Sequence, residues 1–227
     1  MNGLVRTGIV LLIGAAFCAA VSGCFYPAYQ AFQSPVPAPP LSLDLGPELG
    51  VTAGVVVDTT NYGGESLRLG MTDLAGVELG VISRLGLLPN LDVGVRLSPN
   101  LLGLVDVKYR LLSFPLNVAA SLGVSWYPRT GALFSTSYSG GMALYPVVAV
   151  GTERLFGGLR AVVLNEFREQ HGSWQFHPGA YIGGSFGNRM RVMPEFDVLV
   201  VNQPGPSQNG YRSLLSAGAG LAILFRI

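Results

Sequence analysis

Charge is scarce in this chain: Asp, Glu, Lys and Arg make up 12% of 227 residues and nearly cancel, leaving a formal net charge of +1. A soluble domain usually covers its core with a surface about 25–35% charged, and this chain lacks the material for one. Cysteine is limited to Cys18 and Cys24 and histidine to His171 and His177, so cysteine arithmetic gives no metal site. There is no basic run and no stacking platform of the kind that binds nucleic acid. No phosphate-binding glycine loop or cofactor fingerprint occurs, and no cofactor is expected. After the first 23 residues no apolar run is long enough for a membrane-spanning helix, which needs about 20 residues. What the chain has instead is apolar and small residues: mean hydropathy is +0.44, with 31 glycines.

The start has its own layout. Arg6 precedes an apolar run from Gly8 to Val21, followed by small residues and a cysteine, as in a secretory signal peptide. Val21-Ser22-Gly23-Cys24 resembles the lipobox of bacterial lipoproteins. The resemblance implies cleavage before Cys24, acylation of that residue (palmitate among the acyl groups) and handling by the lipoprotein export machinery. Cys18 would leave with the signal, so no disulfide would form. Phe25, where an Asp commonly marks inner-membrane retention in such lipoproteins, implies export to the outer membrane. Residues 24–40 hold a run rich in proline, which removes backbone donors and favours extended polyproline geometry. They read as a tether, with Phe25, Tyr26, Tyr29 and Phe32 at a membrane interface or simply as linker residues.

From residue 41 onward the chain alternates, as the two-residue period of a strand requires. Leu91, Val93, Val95 and Leu97 share one face, with Asp92, Gly94 and Arg96 on the other. Val105, Val107, Tyr109 and Leu111 oppose Asp106, Lys108 and Arg110 in the same way, and so do Val192, Phe196 and Val198 against Arg191, Glu195 and Asp197. Strands are expected at 49–58, 66–84, 91–97, 103–112, 116–127, 141–150, 158–168, 174–186, 189–201 and 211–227. This predicts a transmembrane antiparallel β-barrel of about ten strands over residues 41–227, eight or twelve also being even numbers. Residues 71–76 are expected to form a bulge or an extra turn in an overlong strand. A lipocalin-like soluble barrel would reverse which face points in.

Short joints at 85–90, 113–115, 151–157 and 187–188 alternate with longer or more polar ones at the opposite ends, which suggests a periplasmic and an extracellular side. Gly187-Asn188 reads as a two-residue hairpin turn. Trp126, Tyr127, Trp174, Phe176 and Tyr211 fall at the long-loop ends and Phe114, Phe156, Phe186 and Phe225 at the others, as two aromatic girdles. The last strand, with Leu215, Ala217, Leu221, Ile223 and Phe225 on one face, resembles the C-terminal signal of outer-membrane barrels. That implies the barrel assembly machinery as a partner beside outer-membrane lipid. Arg226-Ile227 after the aromatic departs from the pattern.

The inward set is then Arg68, Glu78, Arg84, Asp92, Arg96, Asp106, Lys108, Arg110, Arg160, Glu166, Arg168, Arg191, Glu195 and Asp197. Both signs interleave, so the lumen is either a salt-bridged plug or a selective pore, and near matching of acids and bases favours the plug. Gly80, Gly94, Gly123 and Gly218 leave local room there. Three functions follow: a structural or narrow small-solute barrel, a surface recognition protein acting through loops 128–140 and 202–210, and, least favoured, a hydrolase built on His171 and His177. Oligomeric state is not written in the sequence.

Overall fold

In the computed structural model the described residues are 32–58, 68–71, 76–98, 101–127, 141–166, 173–204 and 211–227. All regular structure among them is β: β1 (Leu43–Asp58), β2 (Arg68–Met71), β3 (Gly76–Leu88), β4 (Leu91–Ser98), β5 (Leu101–Leu112), β6 (Asn117–Tyr127), β7 (Gly141–Gly151), β8 (Leu155–Glu166), β9 (Ser173–Gly184), β10 (Met190–Pro204) and β11 (Tyr211–Arg226). Apart from β2 and β3, which both pair with β1, each strand pairs antiparallel with its neighbour in sequence, and β11 returns to pair with β1, closing the sheet. Leu43 and Ile227 exchange backbone hydrogen bonds of 3.3 and 2.9 Å at the seam.

β2 and β3 both pair with β1 and together fill one position of the barrel, so the closed barrel has ten staves. Met71 faces Val55 and Gly76 faces Thr52, and residues 72–75, at the heart of the expected bulge or extra turn, lie outside the described residues.

Following the register around the barrel fixes its stagger. The path runs from Asp44 through Arg84, Gly94, Asp106, Gly123 and Tyr145. It continues through Val162, His177, Val201 and Leu214 and returns to β1 at Val56, twelve residues beyond its start. Ten strands so staggered tilt by about 40° and enclose a lumen that side chains can nearly fill.

The faces are those of a barrel for lipid. Val81, Leu97, Val105, Leu122, Leu159, Ile182, Phe196 and Leu221 point outward and are exposed. Between them Asp44, Glu48, Arg84, Asp92, Arg96, Asp106, Lys108, Arg160, Glu195 and Asp197 are buried inside. An apolar exterior on every stave with a polar interior is the pattern of a membrane barrel and the reverse of a soluble one.

β1 begins at Leu43, six residues before the sequence suggests, and brings Asp44 and Glu48 into the wall. The joint between β9 and β10 is wider than a two-residue hairpin. Phe186 and Val192 form an isolated bridge, with Gly187 at φ +96°, a conformation that glycine adopts without strain.

Candidate functional site

The short-turn end of the lumen holds a connected set of ion pairs. Arg84, late in β3, donates to Asp92 at the start of β4 and to Asp106 in β5. Lys108 Nζ lies 3.0 Å from Asp92 Oδ2. Asp44 is fully buried and accepts from Arg191 Nη1 at 2.9 Å and from Arg226 Nε and Nη2 at 2.8 and 3.0 Å. Further along the axis Arg96 donates to Glu48, and Arg160 lies 3.1 Å from Asp197. Asp44, Glu48, Asp92, Asp106 and Asp197, all removed from water, thus each meet a cation, without which burial would cost several kcal/mol.

Glycine makes space for these pairs. Gly80 faces Glu48, Gly94 faces Asp106 and Gly218 faces Asp197 across the strand pairs. A methyl group on any of the three would lie 2.5–2.7 Å from the facing carboxylate oxygen. Local room for a carboxylate and its guanidinium is thus built into the pairing register.

The main correction concerns the proline-rich stretch. Residues 32–38, expected to be part of a tether, lie inside the barrel, Pro39 and Pro40 are exposed, and residues 24–31 are outside the described set. Phe32, Gln33, Ser34 and Ala38 are all buried. Lys108 Nζ donates to the carbonyls of Ser34 and Val36 at 3.1 and 3.3 Å. The Tyr181 hydroxyl donates to the Gln33 carbonyl at 2.8 Å, and Gln33 Nε2 donates to Asp106 at 3.1 Å. Ala38 N–H donates to Asp92 Oδ2 at 2.9 Å, and the Arg96 guanidinium lies 5.5 Å from the Phe32 ring centre. The segment leaves by the short-turn end, where Leu41 N–H donates to the Gly86 carbonyl. A proline-rich segment suits such a place, since four of its residues bring no N–H that needs an acceptor.

The other end of the lumen is filled by side chains. Leu104, Ala143, Tyr145, Val162, Leu164, Leu199 and Val201 form one buried apolar cluster, with Ser125 Oγ donating to the Tyr145 hydroxyl at 3.1 Å. Between this cluster and Gln33 lies a cavity of about 30 Å³, lined also by Arg96, Asp106, Gly123 and Arg160. Such a space holds about one water molecule.

Of the expected inward charges, Arg84, Asp92, Arg96, Asp106, Lys108, Arg160, Glu195 and Asp197 are buried in the lumen. Arg191 pairs with Asp44. Arg110 stands at the rim and donates to Asn90 Oδ1 at 2.7 Å. The side chains of Arg68, Glu78 and Glu166 are outside the described set, as are Cys24, Arg168 and His171. The loop residues 128–140 and 205–210 are outside it too. The sequence reading missed Asp44, Glu48 and the segment 32–40. The alternation of Leu43, Leu45, Leu49 and Val51 with Asp44, Gly46, Glu48 and Gly50 was there to be read, and Pro47 disguised it.

Among the aromatics, Trp126, Trp174 and Phe176 point outward at the long-loop end and Phe114, Phe186 and Phe225 at the short-turn end. Tyr127 and Tyr211 lie in strands whose side chains are outside the described set. Phe156 departs from the expected girdle: it points inward, only 4% exposed, and packs edge-on against Tyr181 with ring centres 6.4 Å apart. β8 starts at Leu155, which takes the outward position and turns Phe156 in. His177 is fully buried on the lumen wall.

No protein-family profile and no curated protein matches the chain. Among solved structures it is similar to Neisserial surface protein A, at 10% identity over 81% of this chain and 96% of that one, with a TM-score of 0.34. It is also similar to the attachment invasion locus protein Ail of Yersinia pestis, at 8% identity over 83% and 99% and a TM-score of 0.31. For the outer membrane protein OprG from Pseudomonas aeruginosa the figures are 8% identity, 86% and 98%, and a TM-score of 0.27. Likeness of this size carries nothing beyond the barrel geometry already described.

Proposed function

We propose that this chain is a non-enzymatic barrel of a bacterial outer membrane, with a structural role, and that its own N-terminal segment closes it along the axis. The observation that carries the reading is the position of residues 32–38 in the lumen. They use the polar atoms of Asp92, Asp106, Lys108 and Tyr181 and leave a cavity with room for about one water beside Gln33. A small-solute route would need that segment to move. The outer membrane is favoured by the apolar exterior and the secretory leader, and by a last strand of the type that the barrel assembly machinery receives. Acylation of Cys24 belongs to the same proposal and rests on the leader alone. The mass of the mature N-terminal peptide tests it, an unmodified Cys24 or a cleavage site elsewhere counting against it.

The closed-barrel reading is tested by single-channel recording of the full mature chain in planar bilayers. Folded protein should give no conductance steps. Reproducible steps in the unaltered chain would overturn the reading.

A further inference from the structure

We propose that the short-turn half of the lumen is a peptide-binding site, specific for a proline-rich segment, which residues 33–40 occupy in cis, 33–38 within the lumen and the exposed Pro39 and Pro40 at its mouth, and which the same peptide occupies in trans. This deepens the closed-barrel reading and rests on it. Three observations carry it. First, the wall recognises backbone more than side chain: Lys108 takes two carbonyls two residues apart, Tyr181 takes a third, and Asp92 takes the Ala38 N–H. Second, the ligand is self-sufficient in donors. Across 35–40 the N–H groups are those of Val36, bonded to Ser34 Oγ at 3.2 Å, and Ala38, and the remaining positions are proline. No strand ladder is needed to hold such a segment, and proline fixes φ at four of its positions before binding.

Third, the wall's ion pairs close without it. Arg84 with Asp92 and Asp106, Arg96 with Glu48, and Arg160 with Asp197 pair wall to wall. Withdrawal of the segment therefore leaves those charges compensated, which a permanent part of the core would not do. Gly86 marks the seat: a methyl there would lie 1.9 Å from the Pro39 carbonyl oxygen and 2.6 Å from that of Ala38. The three nearest obstacles to that methyl all belong to the segment, so an alanine there opposes the filled wall.

A cis segment competes at a high effective concentration, so the test weakens it without touching the wall. Gln33→Ala with Ala38→Pro removes its donors to Asp106 and Asp92. A fluorescent peptide of residues 33–40 is then titrated by anisotropy into the full chain, folded in detergent. The double variant should bind it at least tenfold more tightly than wild type, and adding Gly86→Ala should abolish binding. A folded double variant that fails to bind, or equal binding with Gly86→Ala present, overturns the proposal. Where the double variant lacks the heat-resistant fast-migrating band of a folded barrel, Ser34→Cys in a chain with Cys18→Ser and Cys24→Ser replaces it. Excess free peptide should raise the rate of maleimide labelling at position 34 severalfold, and an unchanged rate overturns the proposal. Conductance of wild type would refute the closed state alone, whereas peptide that does not discriminate would refute the binding site alone.

Discussion

Two walls of the same lumen solve the problem of a filled barrel differently. The wall of β1, β3, β4 and β5 carries Asp44, Glu48, Arg84, Asp92, Arg96, Asp106 and Lys108, all buried. The facing wall of β6 to β9 carries Ala119, Ala143, Tyr145, Val147, Phe156, Val162 and Leu164, with Arg160 the buried Lys, Arg, Asp or Glu among its described residues. The apolar wall fills space with its own side-chain volume. The charged wall cannot, because each group needs a partner at bonding distance, and paired groups leave gaps that no methyl can occupy. The proline segment lies against the charged wall, where carbonyls and a single N–H can be used, and meets the other through the Tyr181 hydroxyl and through Phe32, which joins the buried cluster of Val147, Ala149 and Phe156. Where a barrel lumen is polar, the contrast suggests, a second chain segment is the natural filler.

Breaking the charged wall should cost most. Arg84→Ala leaves Asp92 and Asp106 without the cation they share and is expected to lower stability by about 3–5 kcal/mol. The measurement is the midpoint of urea unfolding in lipid vesicles, read by tryptophan fluorescence. A loss below about 1 kcal/mol would mean that Lys108 and the segment suffice.

The exterior comes next. Phe196 is exposed midway along β10, and Phe196→Arg should cost about 2–4 kcal/mol if that face meets hydrocarbon. The same urea titration in vesicles reads it. A neutral result would place Phe196 at the headgroups. On the apolar wall Leu164→Ala should cost about 2–3 kcal/mol as a plain cavity, with no change in access to the segment at position 34. Greater access there would show that the two walls are coupled.

The contrast also explains what could be read in advance. Strand number, strand faces and most inward charges follow from a period of two, because a membrane barrel must be apolar on one face and polar on the other along every stave. Glu195 and Asp197 oppose Phe196 and Val198 in the sequence as they do in the barrel. The errors sit where that period stops. Phe156 was misplaced because the start of β8 lies in a turn, and a shift of where the strand begins decides on which face the residue falls. Residues 32–40 carry no period, since a polyproline segment has neither a buried face nor a ladder. Nothing local in Ser34-Pro35-Val36-Pro37 separates a chain in water from one in a lumen; the difference is the acceptor and donor set on β4, β5 and β9.

The smallest effects should be the most discriminating. Gly94, Asp106 and Gly123 stand in one row across β4, β5 and β6. The carboxylate thus has a glycine on either side, one within the charged wall and one at its boundary with the apolar wall. A methyl on Gly94 would lie 2.5 Å from Asp106 Oδ2 and 2.6 Å from Arg84 Nη2. Neither can retreat without opening a buried ion pair, so Gly94→Ala should cost about 1–3 kcal/mol. A methyl on Gly123 meets Asp106 Cβ and Leu104 Cδ1 at 3.3 Å and Tyr145 Cβ at 3.4 Å. Those atoms need yield only tenths of an ångström, and alanine recovers about 0.5–1 kcal/mol of backbone entropy in a strand. Gly123→Ala should therefore stay within about 0.5 kcal/mol of wild type. Equal costs at the two glycines in parallel urea titrations would mean that the ion pair is no stiffer than the apolar packing, and the distinction between the walls would fall.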